Sequence, residues 1–168
     1  MITINIHATC IRLGKAGKAF GAPPTSGVLI LGPSGAGKSD LALRLIERGA
    51  DLVADDRTDL RIDRGALTAS TPANIAGLLE IRGLGIIELP HRPKATISLV
   101  VELRPRIERM PVHGRYTPPA PLKLAANKLP PLIFVNPLEA SAPAKVAAAA
   151  AAFASGLFRD TVKQVKRG

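Results

Sequence analysis

Gly32-Pro33-Ser34-Gly35-Ala36-Gly37-Lys38-Ser39 matches the G-x-x-x-x-G-K-[ST] pattern of a phosphate loop at every fixed position. The apolar run Val28-Leu29-Ile30-Leu31 precedes it. Leu41, Ala42, Leu45 and Ile46 follow at helical spacing over Ser39 to Arg48, and Gly49 is placed to stop that helix. Strand, glycine loop and helix in this order make a cradle for an anion. The glycines let consecutive backbone N–H groups curl around a phosphate, and the helix points its positive end at the same place. In this pattern Lys38 reaches the β- and γ-phosphates and the Ser39 hydroxyl ligates Mg²⁺. A nucleotide and Mg²⁺ are therefore the expected ligands, and an α/β fold the expected class.

A phosphate loop needs an acidic partner, because Mg²⁺ takes oxygen ligands and a carboxylate near the phosphates. Leu52-Val53-Ala54 reads as a short strand ending on Asp55-Asp56. Adjacent acids at a strand end can divide the work, one positioning metal and water and the other taking a proton. Glu80 and Arg82 flank Ile81, and in a strand they would share a face. They read equally well as a salt bridge or as a second metal-binding acid beside an arginine that neutralises phosphoryl charge. His7 lies on the alternating strand Ile2, Ile4, Ile6, where a lone histidine is more often structural than catalytic.

The rest of the chain bounds the reading. Its 168 residues, 46% hydrophobic, suit one domain with a real core. There is no long apolar span, and Met1 to Ile6 lacks the features of a signal peptide, so neither a membrane nor secretion is expected. Cys10 is the only cysteine, which excludes an internal disulfide and points to the cytoplasm. The net charge of +10 favours anionic partners, yet only 3% of residues are aromatic, which leaves few stacking platforms for nucleic acid. Part of the charge lies in a basic tail at about residues 159–168.

Further elements are expected along the chain. A loop is expected from Lys15 to Gly27, and a hairpin over Arg57 to Ala69 turning at Gly65. Thr71-Pro72 should start a helix running to about Glu80. Strands are expected at Thr96 to Leu103 and at Leu132 to Val135, with a surface loop carrying a short helical turn from Pro105 to Pro121. The alanine-rich run from Lys145 should be helical to about Phe158.

Taken in order, His7-Ala8-Thr9, the phosphate loop, Leu52-Val53-Ala54-Asp55-Asp56-Arg57 and Leu79-Glu80-Ile81-Arg82-Gly83-Leu84-Gly85-Ile86-Ile87 resemble the catalytic domain of HPr kinase/phosphorylase, in the short form found in alphaproteobacteria. The last segment discriminates this family from other phosphate-loop proteins. The resemblance is clear over residues 1 to about 110. It implies a P-loop domain of the phosphoenolpyruvate carboxykinase-like type, with a mixed sheet and flanking helices. The whole of residues 1–168 would be one kinase catalytic domain, without the family's amino-terminal domain.

The implied activity is transfer of a phosphoryl group from ATP to a serine of HPr, or of a phosphotransferase-system paralogue. In the reverse sense, inorganic phosphate attacks the phosphoserine and pyrophosphate leaves. Carried over by position, Asp56 matches the catalytic aspartate, His7 an active-site histidine and Lys38 the loop lysine. Ser39 and Glu80 match the magnesium ligands. Asp55 supports Asp56, Arg82 lies in the segment used in both directions, and Arg109 matches a further catalytic arginine. A homo-oligomer is implied, the family's known members being hexamers.

The family's Pro-Val-Arg-Pro-Gly-Arg type loop aligns with Phe134-Val135-Asn136-Pro137-Leu138-Glu139, where both arginines are missing. Weak phosphorolysis, or phosphorolysis through other basic residues, is expected from that loss. Two other readings stand beside this one: a P-loop kinase for a small metabolite, and a basic, nucleotide-regulated module that binds nucleic acid or a partner without catalysis.

Overall fold

A computed structural model describes residues 1–159. The phosphate loop joins strand β3 (Gly27–Leu31) to helix α1 (Lys38–Glu47), as its flanking sequence requires. Around this unit run β1 (Thr3–His7), β2 (Thr9–Arg12), β4 (Asp51–Ala54), β5 (Arg57–Asp63), β6 (Ala66–Ser70), β7 (Leu78–Ile81), β8 (Gly85–Glu88), β9 (Lys94–Leu103), β10 (Gly114–Arg115) and β11 (Pro131–Val135). Helix α2 (Ala142–Ala154) follows β11.

The main sheet is mixed and curled, in the order β1-β5-β6-β9-β3-β2-β4. The long strand β9 belongs to both halves. Its start pairs antiparallel with β6, while its end pairs parallel with β3 on one side and β11 on the other. Strand β3 and the Leu99–Val101 part of β9 are buried on both faces and read as unbroken apolar runs, whereas the start of β9 alternates buried and exposed and β11 alternates buried and half-buried. Successive side chains still go to opposite sides. Val28 and Ile30 join the layer under α1 and α2, with Ile11, Leu41, Leu45, Leu99, Val101 and Val146, whereas Leu29 joins Cys10, Val53, Leu60, Leu67 and Val100 in the other layer.

One feature of this sheet positions the site. Residues 3–12 and 51–63 are two long antiparallel segments that break at the same corner. Below it β1 pairs with β5; above it β2 pairs with β4, in a ladder whose register shifts between Cys10 and Ile11. At the break the Ala8 N–H donates to the Asp56 carbonyl (3.2 Å) and the Thr58 hydroxyl to the Ala8 carbonyl (2.9 Å). Asp56 takes a left-handed backbone with φ of 64°. Aspartate tolerates that region better than bulkier residues do.

Several sequence expectations are corrected. No helix runs from Thr71 to Glu80; a short 3-10 turn at Ala73–Ile75 is followed by β7, which pairs with β8 as a separate two-stranded hairpin. Gly77, with φ of 77°, ends the turn, and a Cβ there would lie 2.7 Å from His91 Nδ1. Arg82 is in the hairpin turn rather than the strand, so it does not share a strand face with Glu80. Part of the loop expected at Lys15 to Gly27 is a 3-10 helix, Gly14–Phe20. Helix α2 starts three residues before Lys145 and stops at Ala154, short of Phe158, with Gly156 just beyond at φ of 68°. The basic tail lies, from residue 160 on, outside the described residues.

Candidate active site

The phosphate loop depends on two left-handed glycines. Gly35 has φ of 80°, and Gly37, at the entry to α1, has φ of 103°. Only glycine adopts both without strain. Lys38 is buried and its ammonium donates to the carbonyls of Gly32 (2.7 Å) and Pro33 (3.0 Å). That uses two of its three donors and leaves one for an anion in the loop. Burial pushes the Lys38 ammonium below its ordinary range, and the carboxylates of Asp56 and Asp55 act against that shift.

Asp55 is buried and gathers three donors. Its Oδ1 accepts from the Ser39 hydroxyl (2.7 Å) and the Thr9 hydroxyl (3.0 Å), and its Oδ2 accepts from the Glu80 backbone N–H (3.2 Å). One carboxylate thus ties together the first turn of α1, strand β2, the corner and the hairpin. Asp56 points the other way, into the open, with its Oδ1 2.7 Å from His7 Nε2. The adjacent acids therefore have different surroundings. The first accepts three hydrogen bonds inside the protein; the second keeps an exposed carboxylate oxygen facing solvent.

The cleft in front of the loop has a volume of about 430 Å³. Residues from Ser34 to Asp40, His7, Thr9, Asp56, Glu80 and Arg82 all line it. Arg82 reaches over the loop, its Nη2 lying 3.8 Å from where a Cβ on Gly35 would be. Arg109 does not line this cleft. It borders separate grooves near His113 and Phe158, so the single chain does not bring it to the phosphate loop.

Four residues that shape the cleft carry no role in the sequence reading. Thr9 is two residues from His7, and strand periodicity alone puts them on one side of the chain. Pro137 and Leu138 also line the cleft, after β11, in the segment that aligns with the family's Pro-Val-Arg-Pro-Gly-Arg type loop. Arg44 holds that segment in place: its guanidinium donates to the carbonyls of Pro137 (2.5 Å) and Glu139 (3.3 Å), and its Nε pairs with Asp40 (3.1 Å).

Ser39 and Glu80 supply hard oxygen donors on the wall of one cleft, beside the phosphate cradle. That is the donor type a magnesium ion takes when nucleotide phosphates and water complete its shell.

Fold and site together define a phosphate-loop α/β domain with a curled mixed sheet, in which a bent strand pair carries acids to the loop. The family model for the HPr Serine kinase C-terminal domain matches residues 24–114, more than half of the chain. The chain belongs to that family.

Among curated relatives, the HPr kinase/phosphorylase of Clostridium tetani is 55% identical over 64 residues, 38% of this chain and 21% of its own length. That of Cupriavidus necator is 42% identical over 102 residues, 54% of this chain and 32% of its own length. The matches thus span between a fifth and a third of these relatives. The structure of the Hpr(Ser) kinase/phosphatase from Coxiella burnetii superposes with a TM-score of 0.64 at 24% identity, covering 97% of this chain and 99% of that one. At that identity the likeness concerns the fold. Among the described residues, no helix is long and apolar enough to cross a membrane.

Proposed function

We propose that this chain is a Mg-ATP-dependent protein-serine kinase acting on HPr or a close paralogue of it. The observation that carries the reading is the corner at residues 7–9 and 55–57. It puts an exposed Asp56 carboxylate on the wall of the phosphate-loop cleft and a buried Asp55, bonded to Ser39, behind that wall. The family membership and the names of the relatives supply the acceptor.

In the kinase direction the seryl oxygen bonds to the γ-phosphorus and the bond to the β,γ-bridging oxygen breaks. ADP leaves, and the serine proton passes to Asp56. Phosphoryl transfer asks a protein mainly for positioning and charge neutralisation. The loop N–H groups and Lys38 hold the phosphates, and Arg82 offers a guanidinium to the transferring group. His7, within hydrogen-bonding distance of Asp56, holds that carboxylate in place. Ser39 and Glu80 would hold magnesium, which supplies charge neutralisation at the phosphate oxygens. Asp55 fixes Ser39 rather than reacting.

Phosphorolysis needs cations for an attacking phosphate. The segment after β11 flanks the loop but contributes none, and the Glu139 carboxylate is paired with Lys145. The reverse reaction is therefore expected to be slow. Incubation with γ-labelled ATP, Mg²⁺ and purified HPr tests the reading. Label should appear on a serine of HPr and be lost in Lys38→Ala. Label passing instead to a small-molecule pool would favour a metabolite kinase. ATP binding with no transfer to any acceptor would favour a non-catalytic module.

A further inference from the structure

Leu138 is 90% exposed, the most exposed large hydrophobic residue among those described, and it stands on the wall of the phosphate-loop cleft. A solvated leucine at the mouth of a polar cleft is a feature the phosphoryl chemistry above does not use. Its backbone is firmly held. Pro137 packs against the phosphate loop, its Cβ only 3.3 Å from where a side chain on Gly37 would begin. Arg44 grips the carbonyls on either side of Leu138, and the Leu138 N–H donates to Asn136 Oδ1 (3.0 Å). Leu43, one turn into α1, lies on the same cleft. An apolar shelf of Leu43, Pro137 and Leu138 is thus fixed beside the phosphate cradle, continuous with it.

The geometry points to this shelf as the seat of the nucleotide base. The inference rests on the nucleotide reading given above and deepens it. A nucleoside triphosphate anchored at Gly32 to Ser39 carries one large flat apolar group, and it must leave the loop along a wall of this cleft. The rest of the lining, with His7, Asp56, Glu80 and Arg82, is polar or charged and serves the transferring phosphoryl group. Pro137 and Leu138 give a base an apolar surface to cover.

The shelf also lacks a code for reading the base. Of the polar side chains in residues 136–140, Asn136 spends its oxygen on Leu138 N–H and its amide on the Pro105 carbonyl (3.2 Å), and Glu139 is held by Lys145. Discrimination between bases comes from hydrogen bonds that a wrong base leaves unmade. Apolar contact alone favours every base, so this segment adds affinity without choosing adenine over guanine.

Calorimetric titration of the full chain with ATP, GTP and inorganic tripolyphosphate, each with Mg²⁺, tests the shelf. Leu138→Ala should weaken ATP and GTP alike, by about tenfold. It should leave tripolyphosphate, which has no base, unchanged, and Leu138→Met should restore both nucleotides. The exposed position makes a folding defect in these variants an unsuitable explanation for selective loss.

Equal weakening of tripolyphosphate, or unchanged ATP affinity in Leu138→Ala, would overturn the shelf. So would normal ATP affinity combined with a raised KM for the protein acceptor, which would make Leu138 a protein contact. A native chain that binds neither ATP nor tripolyphosphate would instead overturn the nucleotide reading itself.

Discussion

Asp55 and Asp56 are neighbours in sequence with opposite roles in space. The left-handed backbone at Asp56 turns the two carboxylates apart, one into the sheet and one toward solvent. The buried one is held by hydroxyls from Thr9 and Ser39, and Thr9 is itself fully buried. Removing the Thr9 hydroxyl while keeping its shape frees Asp55 Oδ1 to rotate away from Ser39. Thr9→Val should lower kcat about five- to tenfold with little change in ATP affinity, and Thr9→Ser should restore it. Steady-state kinetics on both variants check this; a loss that serine fails to rescue would mean Thr9 serves packing alone.

At the scale of elements, the pieces that sequence specified well are those whose local pattern and tertiary setting agree. The phosphate loop, β3, α1, β4, the hairpin turning at Gly65, β9 and β11 all fall where their residues put them. The helix expected after Thr71-Pro72 failed because helix-start residues are local signals. Leu78 to Ile81 instead found a partner in Gly85 to Glu88, and strand pairing across a hairpin is decided by what lies beyond the window. The same blindness hid the corner. Nothing local says that residues 7–9 and 55–57 break together, although both halves of the acid site depend on it. The segment with Pro137 and Leu138 is marked in the sequence by its alignment with the family's arginine-bearing loop, but that alignment shows only the lost arginines and not the apolar shelf.

Gly37 ties two elements at once, shaping the loop and packing under Pro137. Gly37→Ala should cost about 1–2 kcal/mol through its left-handed backbone, and more through crowding. Thermal denaturation should show a lowered Tm and calorimetry an ATP affinity reduced at least about tenfold. Unchanged values in both would show the loop to be far more yielding than described.

Across the whole molecule, the curled sheet buries one layer beneath the two helices and another within its own curve. Cys10 reports on the second. It is fully buried, and burial pushes its thiol far above the ordinary range. The folded state therefore keeps the thiol protonated while the unfolded chain ionises it normally. Its contribution to stability is complete below the ordinary thiol pKa and declines as pH rises above it. Iodoacetamide at about pH 8 should alkylate Cys10 at a rate set by unfolding, and denaturant should accelerate it sharply. Rapid alkylation of the native protein would mean that this layer is open.

Both layers exist to hold a single bend, the corner that faces Asp56 toward the phosphate cradle. Its most direct test is Asp56→Asn, measured by ATP titration and by initial rates of phosphoryl transfer to HPr. Asp56→Asn should keep ATP affinity within about threefold of the native chain and lower the transfer rate by about two to four orders of magnitude. Transfer at the native rate would contradict the role given to Asp56.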